Sequence, residues 1–201
     1  MTYLFNNFLL WLQNGMENKY VKHRLEFENK HYDDADRIVW VHELCECPEK
    51  ARFETEFPSL AVTVRYKPAV MLGELIHVAL EEWGLEYTPQ IYHKTVKVDG
   101  EEVIVAGMPD YVSYALDTVV DFKYSAHIGQ EPLQHHEVQV ALYKWLCDVK
   151  HGELWYLTHD SFKSFPVEYE VDIDDVTDMI LSEQIPRWPE WECKYTLIRE
   201  N

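Results

Sequence analysis

The spacing of apolar positions changes rhythm along this chain. Near the start, Phe5, Leu9 and Leu12 recur at helical spacing and share a face. The charged stretch Asn29–Asp36 reads as irregular. Helical spacing returns over Val41–Phe57 and stops at Pro58. Pro68 suits the first turn of a further helix, where its missing N–H costs nothing, and Gly84 suits that helix's C-cap. Leu72, Ile76, Ala79 and Trp83 form its apolar stripe, while Glu74, His77 and Glu81 fall on another.

In the middle third the period shortens to two. Tyr92–Val98 alternates, Asp99-Gly100 is a hairpin signal, and Val103–Ala106 returns. Tyr111–Leu116 and Val119–Tyr124 read as two more strands around a turn at Asp117-Thr118. Glu131–Asp148 is helical again, with Leu133, Val140, Tyr143 and Trp145 among its apolar positions and Gly152 marking its end. Glu153–Thr158 and Val167–Val171 read as strands. Asp174–Glu183 reads as a short helix capped by Asp172 or Asp174. The tail Pro186–Asn201 is aromatic and irregular. This order predicts a mixed α/β plan, a central sheet with flanking helices.

Length and composition narrow the picture. The chain has 201 residues, enough for one domain (1–201) with a sizeable core. Within it, 1–67 form an N-terminal helical part, 68–172 a core, and 173–201 a helix and tail. Apolar residues make up 47% and aromatics 14%, which excludes a disordered chain. No apolar run is long enough to span a membrane, and Tyr3–Leu12 lacks the flanks of a signal peptide, so a cytoplasmic protein is expected. The formal net charge of −18 argues against a general nucleic-acid coat, which needs a basic face. It does not exclude an acidic site whose bound cation inverts the local charge. The four cysteines, Cys45, Cys47, Cys147 and Cys193, are scattered and do not predict a disulfide framework; metal, cluster or plain burial stay open.

Chemistry concentrates in Gly107-Met108-Pro109-Asp110 and Val119-Val120-Asp121-Phe122-Lys123. Two strands joined by a tight turn bring Asp110 and Asp121 to one end of a sheet. Paired carboxylates are natural ligands for Mg²⁺ or Mn²⁺. Asp121 and Lys123 are two apart on a strand and leave the same face. Lysine there can neutralise phosphate charge, or take or orient a water's proton, in phosphodiester hydrolysis. Taken alone, a Pro-Asp turn and an exposed Asp-x-Lys pair fit the same letters. Gln139 and Tyr143, four apart on the following helix, share a face and could hold a phosphate or brace Lys123. His77 could add a neutral imidazole ligand. His135 and His136 are adjacent, so they are expected on different helix faces in surface or groove positions; His135 shares the Gln139 stripe and could reach a phosphate. Asp172, Asp174, Asp175 and Asp178 lack the pattern of a calcium loop and read as helix capping. Trp188 and Trp191 read as pins of the tail, with base stacking as the other use.

The ordered set Gly73-x-x-x-His77, Gly107-x-Pro109-Asp110, Asp121-x-Lys123 and Gln139-x-x-x-Tyr143 resembles the RecB-type PD-(D/E)xK nucleases, and within them the CRISPR-associated exonuclease family called Cas-four. The resemblance runs from about Val41 to Tyr195. It implies a restriction-endonuclease-like fold and Mg²⁺- or Mn²⁺-dependent cleavage of DNA, often single strands from an end. It implies His77, Asp110, Asp121 and the Phe122 backbone carbonyl as metal ligands, Lys123 as the catalytic lysine, and Gln139 and Tyr143 as its supports. CRISPR adaptation proteins are the implied partners, and viral members of the family widen the setting.

The chain departs from that pattern in its cysteines. The family's iron–sulfur cluster takes one cysteine early and three in the tail. Cys47 and Cys193 match two positions, Thr196 stands at the next, and Cys45 and Cys147 match none, so two of four ligands are missing. A staple between Cys47 and Cys193 could replace the cluster. Asp121 stands where many relatives have Glu, which keeps a hard ligand on a shorter reach. With the acidity, these departures leave a second reading: a weakly active or inactive relative that works by binding proteins.

Overall fold

The computed structural model describes residues 22–45, 72–73, 75–79, 90–125 and 127–181. The expected first helix around Leu9, the helix beyond Cys45, Pro68, Trp83, Gly84, Cys47, Cys193 and the tail with Trp188 and Trp191 lie outside them. Contacts gather into two units, Met1–Asp36 and Arg37–Asn201. In the first, residues 22–30 are helical, so the stretch read as irregular from Asn29 starts two residues later. An Arg24–Glu28 pair at 2.7 Å supports that helix at i,i+4 spacing. No described helix is long and apolar enough to cross a membrane.

The second unit is mixed α/β. Its strands are β1 (Arg37–Trp40), β2 (Tyr92–Val98), β3 (Glu101–Gly107), β4 (Tyr111–Ser113), β5 (Thr118–Tyr124), β6 (His151–Leu157) and β7 (Phe162–Pro166). Its bounded helices are α1 (Val41–Cys45), α2 (Gln134–Cys147) and α3 (Ile173–Leu181). The strands divide between two mixed sheets, ordered β1-β3-β2 and β4-β5-β6-β7. In the first, β1 runs parallel to β3 and β2 antiparallel to it. In the second, β5 and β6 are parallel while the outer pairs are antiparallel.

Local chemistry explains most boundaries. Asp99 and Gly100 both have positive φ, 51° and 91°, the backbone a two-residue hairpin turn requires. The β4–β5 turn spans 114–117, and Asp117 takes the left-handed position (φ 53°). Asp117 also ties the turn to the start of β6: its carbonyl accepts the His151 N–H and its carboxylate the Lys150 N–H. Glu43 reaches back to the Trp40 N–H, the return half of a capping box, and starts α1. Asp172, not Asp174, caps α3, accepting the N–H groups of Asp174 and Asp175 at 2.9 Å each.

Three expectations need correction. Gly152 does not end α2. Asp148 does, in the left-handed conformation, with its N–H on the Lys144 carbonyl. Gly152 lies inside β6, where a Cβ would stand 2.5 Å from Val140 Cγ1 and 2.9 Å from Lys144 Cδ. It is the notch into which α2 packs. The strand expected at Val167–Val171 sits earlier, at Phe162–Pro166, because a turn closed by the Thr158 hydroxyl brings that stretch back onto β6. Leu72 is not on a buried stripe: it is 44% exposed. The helical residues 72–73 approach β5 through Gly73, whose Cβ position is 3.6 Å from Tyr124 Cβ, while the neighbouring Leu72 is exposed.

The core centres on β3, β5 and α2. Val103, Val105, Val119, Val140, Leu142 and Leu154 are fully buried within one cluster. Helix α2 touches β2 and β3 of one sheet and β5 and β6 of the other. It therefore joins the sheets, and its inward stripe fixes what can face the end of β5.

Candidate functional site

Three elements meet where β5 passes under α2. The first is the segment after β3. Gly107 ends that strand with no side chain, which matters because a Cβ there would lie 2.8 Å from the Tyr143 ring and 2.9 Å from Val41. Pro109 is fully buried. Asp110 follows, immediately before β4. One of its oxygens accepts the Phe122 backbone N–H at 2.7 Å, and the other stands 2.8 Å from His77 Nδ1.

The second element is β5. Asp121 is buried, with 3% exposure, and Lys123 leaves the same face two residues on. The Lys123 ammonium is 2.8 Å from Asp121 Oδ2. That oxygen is buried and faces the lysine charge directly, a close ion pair. Burial pushes the Asp121 carboxyl up to about 6; the Lys123 charge opposes this and the Asp110 charge adds to it. The Lys123 amine is raised above its ordinary value: burial works against the charge, and the Asp121 and Asp110 carboxylates outweigh it.

The third element is α2. Gln139 Oε1 accepts a hydrogen bond from Lys123 at 2.8 Å, and Gln139 Nε2 donates to the Tyr143 oxygen at 3.0 Å. Burial, then the Asp121 and Asp110 charges, hold Tyr143 well above an ordinary phenol, so it stays protonated. A chain of contacts thus runs from His77 through Asp110, the Asp121–Phe122 peptide and Lys123 to Gln139 and Tyr143.

All of His77, Asp110, Asp121, Lys123, Gln139 and Tyr143 are therefore brought together. Phe122 contributes its amide, while its ring packs edge-on against Trp155 at 5.1 Å. Among the described residues no three His, Cys, Asp or Glu side chains already form a metal cage. The chemistry of the donor set nevertheless fits a divalent cation: one imidazole and two carboxylates, the Asp121 carboxylate buried.

Two residues of this region were not singled out as site members. His136 Nδ1 lies 2.6 Å from the Tyr156 hydroxyl, which also accepts the Leu133 N–H at 3.2 Å. Burial first, then the Lys123 and His135 charges, hold His136 well below an ordinary histidine. The signal was its position three before Gln139 and seven before Tyr143, on one helical stripe. The rings of His135 and His136, expected to diverge, lie 4.2 Å apart; rotation about χ1 can return an adjacent side chain toward its neighbour. Cys45 and Cys147 are buried, and burial pushes the Cys147 thiol up to about 12, which keeps it protonated.

No protein-family model matches the chain. The chain is 28% identical over 193 residues to a CRISPR-associated exonuclease Cas4 of Saccharolobus solfataricus, covering 88% of this chain and 92% of that protein. The crystal structure of SSO0001 superposes with a TM-score of 0.70 at 27% identity, over 81% of this chain and 84% of that one. The resemblance read from four short motifs therefore extends through most of the sequence and through the fold.

Proposed function

We propose that this chain, similar over most of its length to a Cas4 exonuclease, is a metal-dependent nuclease that hydrolyses DNA from an end, with single strands as substrate. The observation that carries the reading is the unbroken contact chain from His77 to Tyr143, built around the buried Asp121. Two carboxylates and an ammonium gathered at a buried position cost desolvation that packing alone does not require, which fits a site built for a charged ligand.

His77, Asp110 and Asp121, with the Phe122 carbonyl, would hold Mg²⁺ or Mn²⁺. When bound there, such a cation supplies a water of lowered pKa and neutralises phosphate charge. The remaining work belongs to the chain's own side chains. Asp110, fixed to the Phe122 amide, keeps its second oxygen directed toward His77. Lys123, held between Asp121 and Gln139, places a full positive charge where charge develops on the phosphodiester. Gln139 orients that ammonium, and the neutral Tyr143 hydroxyl orients Gln139.

The net charge of −18 favours one further reading, a relative acting chiefly through protein partners such as CRISPR adaptation proteins. One experiment separates the two. Labelled single-stranded DNA incubated with the protein and Mn²⁺ or Mg²⁺ should shorten. Asp121→Ala and Lys123→Ala should abolish the reaction, while Asp178→Ala should not. Intact DNA with both metals would remove the nuclease assignment.

A further inference from the structure

The contact chain leaves out a side chain on the same stripe of α2. His136 precedes Gln139 by three residues and Tyr143 by seven, the spacing of one helical face. It stands about one turn, roughly 5 Å, from Gln139 toward the start of the helix. Its partner Tyr156 is no chance neighbour. On β6, Tyr156 is the register partner of Lys123 and projects from the same side of the sheet. The pair therefore flanks the lysine that binds Gln139.

The hydrogen bonds favour one form of the imidazole, because a phenol whose oxygen already accepts one N–H is best placed to donate its own proton onward. The Tyr156 oxygen already accepts the Leu133 N–H, so its own proton is available for His136 Nδ1 at 2.6 Å. Nδ1 is then an acceptor, and the ring's single proton sits on Nε2. Burial and the nearby Lys123 charge keep the ring neutral. His136 is half-buried, so part of the side chain stays accessible. A neutral imidazole with a fixed N–H beside a cationic lysine is suited to a phosphodiester: it donates one directed hydrogen bond without adding charge that would displace Lys123.

We propose that His136, locked by Tyr156, contacts the substrate and donates an Nε2–H hydrogen bond to a non-bridging oxygen of the DNA backbone beside Lys123. This rests on the nuclease reading for its substrate class. It adds a binding residue that stands outside the metal-ligand, lysine and glutamine–tyrosine set.

The test asks which ring nitrogen matters. A glutamine amide reaches the place of Nε2, and an asparagine amide the place of Nδ1. KM for a short single-stranded oligonucleotide with Mn²⁺ should rise about tenfold in His136→Leu and His136→Asn, with kcat nearly unchanged, as loss of a hydrogen bond to a charged group predicts. His136→Gln should stay within about threefold of wild type, and Tyr156→Phe should fall between, because its ring is free to change tautomer. A histidine needed only to anchor the helix through Nδ1 gives the opposite order, Asn better than Gln, and overturns the proposal, as does a KM that no variant moves. If wild type cuts nothing, the nuclease reading fails separately. Metal-free binding of the same oligonucleotide then decides: the same order of affinities upholds the contact, and equal affinities or no binding remove it.

Discussion

Asp110 Oδ2 accepts the backbone N–H of Phe122 at 2.7 Å, so a carboxylate takes the place of a missing strand. Strand β4 begins at Tyr111, opposite Val120. The Phe122 amide lies two residues further along β5, beyond the end of that ladder. Asp110 satisfies it and is thereby fixed beside Asp121 with its other oxygen on His77. One carboxylate is thus both a structural acceptor and a ligand candidate.

The two roles separate by substitution. Asp110→Asn keeps an acceptor for the Phe122 amide and removes the charge. Asp110→Ala removes both and orphans a partly buried N–H, costing about 1–3 kcal/mol. Urea unfolding should place the Asn protein near wild type and the Ala protein clearly below it, while calorimetry should find Mn²⁺ binding lost in both. Equal stability of the two variants would separate the clamp from folding.

Asp121 makes stability depend on pH in a direction opposite to most carboxylates. Its folded value, raised to about 6 by burial, lies above the value of about 4 expected in the unfolded chain. As pH rises through that window the unfolded chain ionises first, so the metal-free fold loses stability between about pH 4 and about pH 6 and holds level above. Asp121→Asn lacks this loss. The difference between the two melting curves, taken in chelator across the window, should grow toward pH 6. A constant difference counts against the raised value. Metal binding needs the ionised form, so Mn²⁺ affinity should weaken below about pH 6.

Local features of this fold were readable because their causes are local. Asp99-Gly100 shows as a hairpin since both residues tolerate positive φ, and Asp172 shows as a cap candidate since its side chain reaches N–H groups two and three residues on. The candidate site was readable for the same reason: Asp110 immediately precedes β4, Asp121 and Lys123 lie on its neighbour β5, and Gln139 and Tyr143 share one helix face. What failed depended on distant partners. Strand β1 has four residues and is held by parallel pairing with β3, more than sixty residues away, so no periodicity announces it. Gly152 looked like a helix stop because glycine usually is one; only the packing of Val140 and Lys144 over β6 gives it its role. Tyr156 becomes part of the site only through its pairing with Lys123.

Gly107 links packing to the candidate site. A Cβ there would meet Tyr143 Cε1 at 2.8 Å, Val41 Cγ2 at 2.9 Å and Leu146 Cδ1 at 3.0 Å. These are buried side chains with little room to retreat, so Gly107→Ala should destabilise by about 1–3 kcal/mol. The displaced Tyr143 should pull Gln139 from Lys123 and lower kcat by more than the folded fraction explains. Gly152→Ala, which crowds Val140 and Lys144, is the contrast: comparable destabilisation with kcat per folded molecule retained. Chemical unfolding and active-fraction-corrected turnover distinguish them.

Gln139 stands between Lys123 and Tyr143, using its oxygen for one and its nitrogen for the other. If Tyr143 acts on Lys123 only through that amide, the two substitutions cannot be additive. Gln139→Leu leaves the ammonium with Asp121 alone and should lower kcat about a hundredfold, the scale of a lost positioned charge. Tyr143→Phe keeps the amide but frees its orientation, and should lower kcat about tenfold, the scale of one hydrogen bond. The double variant should then match Gln139→Leu, since without the amide the phenol has nothing to orient. A double variant slower by the product of both effects would give Tyr143 a direct contact with the substrate instead.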